Sequence, residues 1–158
     1  MDLKDYVILA ASIAVSMSAG LFGSFFTSQT VNTWYKGLTK PWFTPPGEII
    51  SVVWIILYIL MGISLYIILT NDLKDKNVRL AVGLFGVQLF LNAMWSYLFF
   101  GLTSPLYGLI GIVFLWIALA ATIYSFHIVS KKASYLLYPY IVWVTIALAL
   151  NYSIYVMN

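Results

Sequence analysis

The chain has no cysteine among its 158 residues. A disulfide scaffold, a thiolate metal site and a cysteine nucleophile are therefore excluded. Charge is nearly as scarce. Five acids and eight bases make up 8% of the chain, against about 25% in an average soluble domain. A water-soluble fold could not cover its surface with so few. A soluble globular enzyme, a disordered tail and a nucleic-acid-binding domain drop out on that ground. What the chain has in excess is apolar surface: 63% of residues are hydrophobic and 18% aromatic, with mean hydropathy +0.96. The net charge of +3 bears on membrane orientation more than on any acidic partner.

Crossing about 30 Å of hydrocarbon takes about 20 helical residues. Five uncharged apolar runs are long enough: 6–27, 49–70, 80–101, 106–129 and 135–156. A membrane β-barrel would instead show shorter segments alternating polar and apolar. The expected fold class is an all-α membrane protein, a five-transmembrane-helix bundle forming one domain over residues 1–158 with membrane lipid around it. The first run is no cleavable signal peptide, because Asp2 and Asp5 flank Lys4 and the apolar stretch is too long. An odd helix count argues against a two-fold inverted transporter repeat. Lys4, Lys74, Lys76, Arg79, Lys131 and Lys132 fall on one side of an alternating bundle, Lys36 and Lys40 on the other. The positive-inside rule then expects a cytoplasmic N-terminus, in a bacterial plasma membrane.

The long connection, 28–48, is no ordinary solvated loop. Trp34, Tyr35, Trp42 and Phe43 are costly to leave in water, and Pro41, Pro45 and Pro46 stiffen the path. Two readings fit: a lid over a binding site, carried by Trp34, Lys36, Lys40 and Trp42, or an interfacial aromatic belt.

No Asp, Glu, Lys or Arg lies inside any of the five runs. Ion pathways, proton relays and pumps usually need such residues, and neither a carboxylate pair nor a metal site is expected. His127 reads as an interfacial residue or, less simply, a haem ligand. Neutral polarity remains, at helical spacing. Gln88, Asn92 and Trp95 share one face, as do Trp143, Ala147 and Asn151 with Leu150 beside them, and Trp54, Tyr58 and Gly62. Ser12, Ser16, Gly20 and Ser24 form a stripe that suits close helix packing. Gly83 and Gly86 permit either a homodimer or packing within the bundle. The amides suit interhelical glue, and the three tryptophan-bearing faces also suit an apolar pocket with a few orienting polar groups.

Four blocks of sequence carry a resemblance. They are Trp34-Tyr35-Lys36-Gly37-Leu38-Thr39-Lys40-Pro41-Trp42 with Pro45-Pro46; Trp54-Ile55-Ile56-Leu57-Tyr58 with Met61-Gly62; Gln88-Leu89-Phe90-Leu91-Asn92 with Trp95 and Phe99-Phe100-Gly101; and Leu137-Tyr138-Pro139-Tyr140 with Trp143, Ala147 and Leu150-Asn151-Tyr152. In this order, over nearly the whole chain, they resemble the tryptophan-rich sensory protein/translocator protein family, also called the peripheral-type benzodiazepine receptor. The resemblance implies a five-helix bundle with a pocket beneath the first connection. It implies binding of protoporphyrin IX or another tetrapyrrole as ligand, with no resident cofactor, and of isoquinoline carboxamide or benzodiazepine-type drugs. Implied ligand-binding residues are Trp54, Asn92, Trp95, Trp143, Ala147 and Leu150, with Tyr107 at a position where relatives carry an aromatic. Tyr58 and Gln88 join them from the faces above.

Light-dependent porphyrin breakdown, attributed to bacterial members, would fall to Trp54 and Trp143. A porphyrin transporter and a structural or regulatory subunit are the competing readings. One departure stands out: Leu150, Tyr152 and Tyr155 are followed by no basic residue, so the family's sterol motif is incomplete.

Overall fold

The computed structural model describes all 158 residues, and every regular element in it is helical. Five membrane-length crossings result. Helix α1 (Leu3–Thr30) starts at a reciprocal cap, in which Asp2 accepts from the Asp5 amide and Asp5 from the Asp2 amide, both at 3.0 Å. Such a pair satisfies donors that a helix start leaves free. Helix α2 (Gly47–Leu69) begins directly after Pro45-Pro46. Helix α3 (Lys76–Ser96) is capped by the Asp75 carboxylate on the Asn77 amide at 2.8 Å and runs on into a π turn, Tyr97–Gly101. Helix α4 (Pro105–Val129) has Pro at its first position, where the missing N–H costs nothing. The fifth crossing is two pieces, α5 (Lys131–Leu136) and α6 (Tyr138–Met157).

That break corrects the single run expected over 135–156. Pro139 has no N–H to give the carbonyl one turn back, so the helix re-starts. Helices α1 and α3 also run beyond the expected apolar stretches, taking in Lys4, Asp5, Lys76 and Arg79. A hydrogen-bonded helix ends at its caps, not where hydropathy changes.

Helix α1 lies against α2 and α3, α3 against α4, and α4 against α6, while α2 meets α5 rather than the body of α6. The Ser64 hydroxyl of α2 donates to the Ala133 carbonyl of α5 at 2.7 Å. With α5 tied to α2 and α6 leaning on α4, the fifth crossing draws away from α2 beyond the break. At the end distant from the long loop the bundle is solid. Leu57, Met61, Ile68, Ala81, Phe85, Leu115, Leu119, Phe126 and Val144 make one continuous core there. Glycine lets α1 and α2 touch backbone to backbone: a Cβ on Gly62 would run into the Ile13 backbone, and one on Gly20 would lie 2.6 Å from the Tyr58 ring. Ser12 and Ser16 are buried on the same helix with hydroxyls turned back on Ile8 and Ser12 carbonyls. Ser24 continues that stripe one turn beyond Gly20 but is exposed. Gly83 and Gly86 face outward into open space, so they do not serve packing inside the bundle.

Candidate functional site

Between α1, α2, α3 and α6, at the loop end, the helices enclose a cavity of about 580 Å³. Ligand pockets generally fall at about 300–1,000 Å³. Seven of the nine expected ligand-binding residues line it: Trp54, Tyr58, Asn92, Trp95, Trp143, Ala147 and Leu150. No carboxylate, amine or imidazole is among the lining side chains. Such a lining can offer stacking, apolar burial and neutral hydrogen bonds.

Its inner end is a polar relay. The Tyr58 hydroxyl donates to Asn92 Oδ1 at 2.6 Å, Asn92 Nδ2 donates to the Tyr140 hydroxyl at 2.8 Å, and Tyr140 donates to Gln88 Oε1 at 2.8 Å. Gln88 Nε2 ends the chain on Met61 Sδ at 3.9 Å. All four polar residues are buried, and each bond removes a cost that a bare polar group would carry in an apolar interior. One wall is an aromatic ladder. Trp54 stacks on Tyr58 (centroids 5.6 Å, planes 26° apart) and on Trp95 (6.5 Å, 28°), and Trp95 on Phe99 (5.6 Å, 18°). Asn151 holds Trp95 in place, accepting from its Nε1 at 3.0 Å while donating to the Pro105 carbonyl at 2.9 Å. Trp143 differs. Its Nε1–H is enclosed and has no hydrogen-bond partner.

Two expected residues lie elsewhere. Gln88, one turn before Asn92 on α3, is fully enclosed beneath the cavity because Met61 and Tyr140 already close the bundle at that depth. Tyr107 is half exposed on α4, which contributes nothing to the lining; its neighbour Gly108 is the residue that faces inward, against Phe99.

The loop residues divide. Tyr35 and Val31 line the cavity, whereas Trp34, Lys36, Lys40 and Trp42 do not. Trp34 packs edge-on against Phe99 at 5.3 Å. Lys40 is folded back over the Tyr35 ring, 4.5 Å from its centroid, and donates to the Leu38 carbonyl at 3.1 Å. Burial pushes the Tyr35 phenol above its ordinary pKa, so it presents a neutral hydroxyl. Lys36 is exposed, and Trp42 is 95% exposed at the tip of a turn closed by the Thr44 amide on the Pro41 carbonyl at 3.2 Å. Central residues of such a turn point outward.

Sequence reasoning missed Tyr140, Asn151, Phe99 and Phe100 as parts of this site. Asn151 stands on the same stripe as Trp143 and Ala147, and that signal was in view. Phe99 and Phe100 are both buried, on the π turn that extends α3.

These features define a class: a five-helix integral membrane protein with an aromatic-walled cavity enclosed within its bundle. The chain belongs to the TspO/MBR family, whose model matches residues 12–157. It is 48% identical over 152 residues to the Tryptophan-rich protein TspO of Archaeoglobus fulgidus, covering 95% of this chain and 96% of that protein. It is 43% identical over 155 residues to the protein of that name in Chlorobaculum tepidum, covering 98% of each. It is also 34% identical over 149 residues to the human Translocator protein, covering 92% of this chain and 88% of that one. The human relative's name speaks of translocation, and the two prokaryotic names only of tryptophan richness.

Proposed function

We propose that the protein is a membrane receptor that binds a tetrapyrrole, protoporphyrin IX being the test ligand, within the cavity of α1, α2, α3 and α6. One observation carries the reading: an apolar cavity of about 580 Å³ walled by Trp54, Trp95 and Trp143. A flat macrocycle gains about 0.5–1.5 kcal/mol per well-placed ring pair beyond area burial. Isoquinoline carboxamides and benzodiazepines offer a carbonyl on an aromatic body and suit the same wall. Carboxylates cannot sit unpaired in an apolar cavity. They stay at the loop end, where Lys36 and Lys40 are the nearest bases.

A receptor or sensor role is favoured over ion-coupled transport because no ionisable side chain lines the cavity. The excess of basic residues on the N-terminal side supports a cytoplasmic N-terminus with the loop end outside, in a bacterial plasma membrane. Titration of the purified protein with protoporphyrin IX in detergent tests the ligand, read by quenching of tryptophan fluorescence. Saturable one-to-one quenching that weakens in Trp143→Leu is expected. Non-saturating, partition-like quenching would overturn the reading. Flux into sealed vesicles tests whether bound pigment also crosses.

A further inference from the structure

The α1–α2 seam changes character along its length. On α1 it follows Ile13, Met17, Gly20, Ser24 and Ser28, and on α2 Gly62, Tyr58, Ile55 and Ser51, steps of three and four that keep each line on one face. The inner half is closed, with Gly62 on Ile13 and Gly20 under the Tyr58 ring. The outer half is not. Leu21 is 68% exposed and Ile55 50% exposed, and Ser24, Ser28, Gly47 and Ser51 are exposed as well. All six also line the cavity. A residue that both lines an internal space and is open to the outside marks its mouth. The lining residues of α3, α6 and the loop are all buried or half-buried, so this mouth belongs to α1 and α2.

The loop end, by contrast, is fastened. Tyr35 lies against Phe99 and Phe100 (centroids 6.2 and 5.5 Å), and Thr30 Oγ1 donates to the Phe100 carbonyl at 3.2 Å. The Asn158 side chain holds both backbone groups of one loop residue, Thr39. The Thr39 amide donates to Asn158 Oδ1 at 2.9 Å, and Asn158 Nδ2 donates to the Thr39 carbonyl at 2.8 Å.

We propose that ligand enters and leaves the cavity sideways, from the lipid, through the slot between the outer halves of α1 and α2, while the loop stays latched. The proposal rests on the ligand reading above and adds its route. The slot is suited to hydrocarbon. Ser24, Ser28 and Ser51 each donate to a carbonyl of their own helix, at 2.9, 3.0 and 3.1 Å, so no bare hydroxyl donor faces the acyl chains. A Cβ on Gly47 would meet nothing within 4 Å, leaving the rim clear. The ligand class that fits is a flat amphiphile already dissolved in the bilayer. It slides in edge-on with its carboxylates trailing at headgroup depth.

The absence of cysteine makes the test clean. Ser24→Cys/Ser51→Cys, bridged by a short bismaleimide, closes the slot, and Thr39→Cys/Asn158→Cys, bridged likewise, locks the loop. Each variant is placed in phosphatidylcholine nanodiscs, and protoporphyrin IX exchange is followed by stopped-flow quenching before and after bridging. Bridging the slot is expected to slow both association and dissociation by about tenfold or more, because a rearrangement now precedes binding. Bridging the loop is expected to leave both rates unchanged. Unchanged rates with the slot bridged, while saturable binding persists, overturn the route alone. A loop bridge that slows exchange as much as the slot bridge overturns it too. Absence of saturable binding by the parent protein in the same discs overturns the ligand reading and the route together.

Discussion

Replacing Tyr140 with Phe removes one oxygen from the centre of the polar relay and leaves the ring in place. That hydroxyl accepts from Asn92 Nδ2 and donates to Gln88 Oε1, both at 2.8 Å. Its loss leaves a donor on α3 and an acceptor one turn away without partners, in a region where both residues are buried. Interhelical hydrogen bonds in membrane proteins are worth about 0.6 kcal/mol on average and up to about 1.7. Two such bonds put the expected cost at about 1–3 kcal/mol. Tyr58→Phe removes a single bond, from Tyr58 to Asn92 Oδ1, and should cost about half as much. Unfolding of both variants in mixed micelles of mild detergent and dodecyl sulfate, read by tryptophan fluorescence, supplies the comparison. A double-mutant cycle of Tyr140→Phe with Gln88→Leu should then show coupling of about 1 kcal/mol. If Tyr140→Phe proves no more costly than Tyr58→Phe, or the cycle shows no coupling, the relay is not a continuous structural unit.

Gly62→Ala should destabilise by about 1–3 kcal/mol, because its methyl meets the Ile13 backbone and α1 must shift. Gly83→Ala, which points into open space, should be neutral or stabilise by up to about 1 kcal/mol; the same unfolding assay compares them. Light- and oxygen-dependent loss of bound protoporphyrin is expected to slow by about tenfold or more in Trp54→Phe/Trp143→Phe, since both indoles line the cavity and held proximity raises such rates. Affinity should fall by less than the rate, as phenyl keeps a stacking face, and pigment loss at the parent rate with binding intact would sink the tryptophan mechanism. For orientation, an impermeant maleimide on intact cells should label Thr39→Cys and spare Asn77→Cys; the opposite pattern reverses the topology.

The number of crossings and the apolar faces of the helices were written in local sequence. A run of about 20 uncharged residues must cross the bilayer with its backbone satisfied internally. A period of 3.6 residues then puts Asn92 beside Trp95, and Ala147 beside Trp143, whatever surrounds them. Seven of the nine ligand residues nominated by the resemblance and by these faces line one cavity.

Depth was not local. Gln88 lies on the Asn92 face, yet it is sealed beneath the cavity because α2 and α6 bring Met61 and Tyr140 across at that level. Which hydrogen-bond donors find partners is likewise decided between helices. Trp95 is met by Asn151 and Trp143 by nothing, although both are indoles on expected pocket faces. The break beside Pro139 was not anticipated in the single run expected over 135–156, and its direction comes from Ser64 holding α5 to α2 while α6 leans on α4. Trp42 and Trp34 looked alike in a single aromatic loop, and only the Pro41–Thr44 turn and the Phe99 ring separated them. Sequence determines faces because periodicity is a property of one helix. Where two helices part, and what fills the gap, depends on side chains about 30 to 60 residues apart meeting at one depth, as Tyr58, Asn92 and Tyr140 do at 34 and 48 positions' separation. Only the packed bundle decides that.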